Sequence, residues 1–227
     1  MSRVPNVAID GPAGSGKSTV ARLVAQKLDF LYVDTGAMYR AVTYLALKTA
    51  VNLDDQDALG SLAEATKFSN VRFCSSGGDV ALWCDGANVT PYLRKWDVTR
   101  EVARVAAVPM VRHCLVRSQR VFARSGGVVM EGRDIGTVVL PDAEFKFFLT
   151  ADLDTRIERR ALEMSGNGWT VDPEELCRQF IYRDEMDLKR TVGPLKAAPD
   201  AVVIEGTALT ADEIVDRIVT VCQGRVA

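Results

Sequence analysis

The chain contains a single histidine, His113, so any scheme that needs two imidazoles, whether as acid and base or as metal ligands, is excluded. His113 is therefore read as structural. Cysteine is also sparse. Cys74, Cys84, Cys114, Cys177 and Cys222 are odd in number, widely spaced and free of C-x-x-C pairs, which reads as buried thiols in a reducing compartment. No apolar run reaches membrane-spanning length, and the N-terminus lacks a charged-then-apolar signal pattern, so a cytoplasmic location is expected. An excess of charge is missing too: the formal net charge is -2, which argues against nucleic acid or an anionic membrane as a general partner. Repeats and low-complexity linkers are absent. With 227 residues, 48% hydrophobic and 26% charged, the composition suits one large globular domain or a domain carrying an insertion. The basic residues divide into 20 Arg and 8 Lys. That imbalance favours planar, bidentate recognition of phosphate or carboxylate.

The chain is organised around Gly11-Pro12-Ala13-Gly14-Ser15-Gly16-Lys17-Ser18-Thr19. It follows the apolar run Val7–Ile9 and opens an amphipathic segment from Thr19 to Leu28, the strand–loop–helix context that a G-x-x-x-x-G-K-[ST] phosphate loop requires. Gly11, Gly14 and Gly16 allow positive φ, so successive N–H groups can converge on one anion at a helix N-terminus. Lys17 supplies a mobile cation for the β- and γ-phosphates, and the Ser18 hydroxyl is placed for Mg²⁺. The motif predicts a nucleoside triphosphate site.

Five apolar runs, Val7–Ile9, Phe30–Val33, Val128–Met130, Phe145–Leu149 and Ala201–Ile204, read as strands buried on both faces of a parallel sheet. Helical patterns between most of them predict a doubly wound α/β fold. The gap from Val33 to Val128 exceeds any crossover and predicts an insertion. Within it, Val71–Ser75 and Asp79–Cys84 flank Ser76-Gly77-Gly78, and Asp85-Gly86 leads to Ala87–Val89, a small antiparallel meander. Helices are expected at Ala37–Lys48, Asp55–Thr66, Asp97–Ala107 and Pro109–Arg124.

Three further clusters carry chemistry. Asp34-Thr35-Gly36-Ala37-Met38-Tyr39-Arg40 follows the second strand, where ligands of open α/β sheets bind. There Arg40 could clamp an acceptor phosphate with Thr35 and Tyr39 donating, or Thr35 could cap the next helix while Tyr39 packs. Glu131-Gly132-Arg133-Asp134-Ile135-Gly136-Thr137 offers a cation and an acceptor beyond the third strand, or else a solvated turn. In the helix expected to begin after Asp172-Pro173 and run to about Lys189, Arg183, Asp187 and the following Arg190 fall within roughly 60° of one another. They read as a ligand-facing row, favoured by Arg190 on the same face, or else as an i,i+4 ion pair of Arg183 with Asp187. Arg156, Arg159 and Arg160 share a face ahead of Ser165-Gly166-Asn167-Gly168. They read either as a lid closing over ATP, with Arg156 and Arg160 as its catalytic cations, or as a solvated helix paired through Glu163. On the helix after Pro109, Arg117, Arg120 and Arg124 oppose the apolar face of Val111, Leu115 and Phe122 and are expected in solvent. Arg112 lies at the boundary and could reach a cleft.

The motifs D-G-P-A-G-S-G-K-S-T, D-T-G-A-M-Y-R, P-M-V-R, G-R-D-I-G-T-V-V and R-D-E-M-D-L-K-R, in this order and spacing, resemble bacterial cytidylate kinases, nucleoside-monophosphate kinases. The resemblance runs from about Asn6 to the C-terminal helix. It implies a P-loop fold with a five-stranded parallel core, an enlarged acceptor-binding insertion with a small antiparallel sheet, and a lid. On this likeness residues 1–36, 126–154 and 172–227 form the core, 37–125 the insertion and 155–171 the lid. Thr35, Tyr39, Arg40 and Arg133 would surround the CMP phosphate, Arg112 and Asp134 would meet the cytosine, and Arg183, Asp187 and Arg190 would serve ribose and phosphates. ATP would be the phosphoryl donor, with Mg²⁺, and CMP or dCMP the acceptor of a monomeric enzyme. Transfer would be in line, without a covalent intermediate. One departure is Ala103, which stands where the family commonly has a base-contacting serine. Kinases of UMP or shikimate are the alternatives of the same chemistry. A nucleotide switch is the alternative of a different class: Asp57-Ala58-Leu59-Gly60 matches D-x-x-G, but it follows no convincing strand and no N-K-x-D reader is present.

Overall fold

The computed structural model describes residues 4–72, 81–166 and 172–224. In chain order the elements are β1 (Val7–Asp10), α1 (Lys17–Leu28), β2 (Leu31–Asp34), α2 (Thr35–Lys48), α3 (Gln56–Ala65), β3 (Phe68–Arg72), β4 (Ala81–Cys84) and β5 (Ala87–Asn88). They continue as α4 (Trp96–Ala107), α5 (Pro109–Phe122), β6 (Val128–Gly132), β7 (Phe145–Thr150), α6 (Leu153–Gly166), α7 (Pro173–Lys189), β8 (Val202–Glu205) and α8 (Ala211–Gly224). A five-stranded sheet runs in the order β2-β6-β1-β7-β8 and is parallel throughout. One face packs Val7, Ile9, Phe147 and Leu149 against Val20 and Val24 of α1 and Val215 and Ile218 of α8. On the other, Ala8, Val33 and Met130 meet Ile135 and Val139. Alternate side chains of one strand thus enter different cores, which is why these runs carry almost no polar residue.

The run Ala201–Ile204, expected to be buried on both faces, departs from that pattern as the edge strand β8. In β8 only Ile204 is buried, while Val202 and Val203 are exposed. The last strand of an open sheet pairs on one side only, with β7 here, and only its Ile204 enters the core with Ile214 and Val215 of α8.

Between β2 and β6 the chain adds α2 to α5 and a second sheet. α2, α3, α4 and α5 bury Val42, Leu59, Val105 and Leu115 together, and β3-β4-β5 form the small sheet. It is antiparallel as expected, although the strands expected to reach Ser75 and to start at Asp79 lie in part outside the described residues, as does Cys74. Asp57 and Gly60 sit inside α3, so the D-x-x-G match is helix and not a switch loop. Gly60 is there for packing, because a Cβ would lie 2.4 Å from Met110 Cγ of α5. Arg120 is exposed, as its place on α5 predicted, but it is not unpartnered. Its guanidinium donates to Val138 O and Val139 O at 2.7 and 3.0 Å. Its long stem reaches the π-helical turn Ile135–Val139, whose final carbonyls have no helical partners.

Parallel register aligns the strand ends. Asp34 of β2 pairs with Glu131 of β6, and Asp10 of β1 with Gly132. Three acidic strand ends therefore meet one rim of the sheet, where ligands of such folds bind.

Candidate active site

The phosphate loop connects β1 to α1. Gly11, Gly14 and Gly16 have φ of 151°, 72° and 90°. A Cβ on Gly11 would stand 1.9 Å from Leu149 O, so the loop can lie against β7 only with glycine there. Lys17 is buried, and its Nζ donates to Pro12 O at 2.5 Å and to Ser15 Oγ at 3.3 Å. Burial, then the nearby guanidinium of Arg133, hold the Lys17 ammonium down to about 7. Asp10 is buried at the root of the loop and accepts from Ile135 N and Gly136 N, both at 2.7 Å. Burial pushes its carboxyl up to about 6 despite those bonds.

Ser18 Oγ donates to Glu131 Oε1 at 2.6 Å, and Tyr32 OH reaches the same oxygen at 3.3 Å. Burial, then the neighbouring Asp34, raise the Glu131 carboxyl. Glu131 stands in the Glu131–Thr137 motif but was not among the expected site residues. An acidic residue directly after an apolar strand was the available signal, but only the insertion of β6 between β2 and β1 brings it to Ser18, 113 positions away. Hydroxyl and carboxylate oxygens are hard donors of the kind Mg²⁺ takes, so the residues fit that ion. Among the described residues no group of three His, Cys, Asp or Glu side chains forms a protein-only cage. Phosphate oxygens and water would have to complete the coordination.

The far side of the site is built from α2, α5, the β6 rim and α7. Arg112 is only 1% exposed, pairs with Asp134 through Nη2 and lines the cleft that was expected within its reach. Asp134 also receives Arg190 Nη2 at 3.3 Å. Arg190 and Arg133 then share Asp187 at 3.2 and 2.7 Å. The result is a chain of alternating charge, Arg112–Asp134–Arg190–Asp187–Arg133. Burial opposes the charge on Asp187, but Arg133, Arg183 and Arg190 outweigh it and hold that carboxyl below its usual range. The Tyr39 ring lies under the Arg112 guanidinium at 5.4 Å. Ala103 lines the same cavity, with no hydroxyl to offer. Asp34, not Thr35, caps α2 by accepting from Ala37 N at 3.0 Å. The Thr35 hydroxyl donates to Glu131 O at 2.7 Å, so in this conformation it presents lone pairs rather than a proton to the cavity.

Cations crowd the space between the two halves. Arg40 is oriented by Thr99 Oγ1 at 2.9 Å and Leu93 O at 3.3 Å, and burial with Arg183 and Arg160 nearby brings it down to about 9. Arg183 has no hydrogen bond or ion pair among the described residues, and burial beside Arg133 takes it to about 10. Like charges held this close are unfavourable until an anion arrives. They and the phosphate loop line one cavity of about 1350 Å³, above the usual range for a single ligand. His113 is exposed on α5 and does not line it.

The three arginines of α6 separate into different tasks. Arg156 is buried, pairs with Asp184 at 2.7 Å, donates to Ala13 O at 3.1 Å and stacks over Phe180. It ties the phosphate loop to α7. Arg159 donates to Gly206 O at 2.6 Å and to Ser15 O at 3.4 Å. Arg160 pairs with Glu163 at 2.7 Å, and Glu163 also holds Arg94 across the cavity mouth. The glycine-rich turn after α6 lies partly outside the described residues.

A family model described as cytidylate kinase matches residues 7–224. A cytidylate kinase from Desulforamulus reducens is 51% identical over 214 residues, covering 94% of this chain and 95% of that protein. One from Pelotomaculum thermopropionicum is 48% identical over 219 residues, with 96% of each covered. A bifunctional pantoate ligase/cytidylate kinase from Synechococcus sp. is 50% identical over 217 residues, and there this chain spans only 40% of the relative's length. Among solved structures, an uncharacterized protein from Eubacterium ventriosum shares the fold at TM-score 0.55 and 15% identity, over 99% of this chain and 100% of that one.

Proposed function

The chain belongs to the cytidylate kinase family and is a kinase, and on that premise we propose that it transfers the γ-phosphoryl group of ATP to CMP or dCMP, giving ADP and CDP or dCDP. The observation that carries this reading is the arginine and lysine crowd of Arg40, Arg133, Arg160, Arg183 and Lys17 between a triphosphate loop and a buried Arg112–Asp134 pair. Two anionic ligands placed end to end would neutralise it. Residues 37–125 form the acceptor side and 155–171 the lid. Gly11 to Thr19 wrap the triphosphate, with backbone N–H groups at the α1 N-terminus facing it. Arg40 and Arg133 hold the acceptor phosphate in line. Lys17, Arg160 and Arg183 meet the charge that spreads over the transferring oxygens. Ser18, backed by Glu131, would hold Mg²⁺, which supplies charge neutralisation across the phosphates when bound. The enzyme works as a monomer in the cytoplasm.

A coupled assay over CMP, dCMP, UMP, AMP, GMP and shikimate tests the reading. The highest kcat/KM is expected for CMP or dCMP; a preference for any other acceptor refutes it.

Lys17 gives a pH signature. Its pKa in the free protein lies near 7, well below an ordinary lysine, so above pH 7 it is largely neutral. A bound triphosphate restores the proton. ATP binding at pH 8 should therefore take up close to one proton, and at pH 6 far less, with affinity weakening as pH rises through 7. Calorimetry in two buffers of different ionisation enthalpy measures the uptake, and Lys17→Ala should abolish it. Equal, near-zero uptake at both pH values contradicts the assignment.

Lid closure is visible in hydrogen exchange. ATP with CMP should slow exchange of the α6 amides more than either nucleotide alone, because closure needs both sites filled and Glu163 of α6 already joins Arg160 to Arg94 of the opposite wall. If a bisubstrate analogue leaves α6 exchange unchanged, α6 does not close.

A further inference from the structure

Arg112 and Gln119 are seven residues apart on α5, two turns along one stripe, and both are enclosed, Gln119 completely. Gln119 Oε1 and Nε2 have no hydrogen-bond partner among the described residues, and neither do Tyr39 OH or Arg112 Nε. Buried polar atoms left in that state carry a desolvation penalty, so a glutamine is a poor choice for filling an apolar gap between α2 and α5. The four atoms are chemically complementary. The amide offers one acceptor and two donors, the phenol can do both, and the guanidinium Nε donates. Gln119 also lies close enough to the phenol to work against the burial that pushes Tyr39 up to about 12.

We infer that Gln119 is a positioning residue of the acceptor pocket: its amide holds the Tyr39 hydroxyl, directly or across one buried water, and so keeps the Tyr39 ring under the Arg112 guanidinium that pairs with Asp134. A site with two to four polar partners is what a buried water requires. Gln119 touches no substrate. It acts by fixing the aromatic floor on which Arg112 lies, 5.4 Å from the ring centroid, and hence the angle at which the Arg112–Asp134 pair faces the cavity. This rests on the reading of that pair as the part of the site that meets the base.

The test is Gln119→Leu, which fills nearly the same volume without polar atoms. KM for CMP should rise about tenfold, the scale of one lost buried hydrogen bond. Expected alongside are a kcat within about threefold of wild type, an unchanged KM for ATP and a reduced CMP/UMP ratio of kcat/KM. Tyr39→Phe should reproduce the shift, and the double variant should be no worse than either single one, because both remove the same interaction. The Tm should fall by a few degrees at most, since the buried Tyr39 hydroxyl loses its partner while the leucine adds apolar packing. Two results overturn the inference: a lowered Tm with KM for CMP and the acceptor ratio preserved, which is packing alone, or strictly additive effects in the double variant. Should Gln119→Leu fail to fold, Gln119→Met and Tyr39→Phe carry the same measurement. The wild-type acceptor panel keeps the two readings apart. Absence of a CMP preference there counts against the function, whereas an unmoved KM for the preferred acceptor in the variants counts against Gln119.

Discussion

Lys17→Ala is expected to lower kcat by at least roughly a hundredfold, the scale of removing one preorganised group that meets transition-state charge, while the protein stays folded. The second half of that expectation comes from the surroundings of the lysine. Nζ is bonded to Pro12 O and Ser15 Oγ, worth about 1 kcal/mol net each. Against this stand its burial and its repulsion by Arg133 and Arg183, the same effects that hold its pKa near 7. The opposing contributions are of similar size, so the Tm should move by no more than a few degrees. Steady-state kinetics and a thermal melt on one preparation check both parts. A folded variant with near-normal kcat removes Lys17 from the chemistry. A large fall in Tm would mean that the lysine holds the loop together, and the lost activity would then say little about charge.

Asp134→Asn should collapse the preference for CMP over UMP by roughly a hundredfold in kcat/KM, within the range of sites that read a hydrogen-bonding group. A carboxylate accepts from the 4-amino group of cytosine but faces the 4-carbonyl of uracil with a second acceptor. Arg112 and Arg190 take one lone pair on each Asp134 oxygen, and a carboxylate has about four such positions. Capacity for the base therefore remains. The amide of asparagine can turn its NH₂ toward uracil, which erases the distinction. The same change leaves Arg112, 1% exposed, beside a neutral partner. Breaking a buried ion pair costs about 3–5 kcal/mol, somewhat less here because the Asn oxygen still accepts, so a Tm lower by roughly 5–10 °C is expected. The two effects are separable. A fall in Tm with the CMP/UMP ratio intact would show that Asp134 only neutralises the arginines, and a lost ratio shows that it reads the base. With Ala103 offering no hydroxyl, the Arg112–Asp134 pair would bear more of that reading under the proposed function.

The amino-acid sequence by itself determined the elements whose geometry is local. The phosphate loop, with its three positive-φ glycines, the runs that became β1, β2, β6 and β7, and the helices of the insertion follow from residue type and period over a few neighbours. Contiguous motifs such as D-T-G-A-M-Y-R and G-R-D-I-G-T were legible because each hangs from one strand end. Pairing was not legible, because it depends on strand order and side-chain reach over long separations. Glu131 stands at Ser18 only because β6 lies between β2 and β1. Helical spacing put Arg156 and Arg160 on one face of α6, yet Asp184 and Ala13 O claim the first while Glu163 takes the second. A helical wheel sent Arg120 to solvent, and two carbonyls from another segment tethered it. It set Arg112 at an apolar boundary, where the packing of α2, α5 and the β6 rim enclosed it with Asp134, Tyr39 and Gln119. The physical reason is the same throughout: period fixes the direction in which a side chain leaves its own element, and only the packed neighbours fix which charge or dipole it meets there.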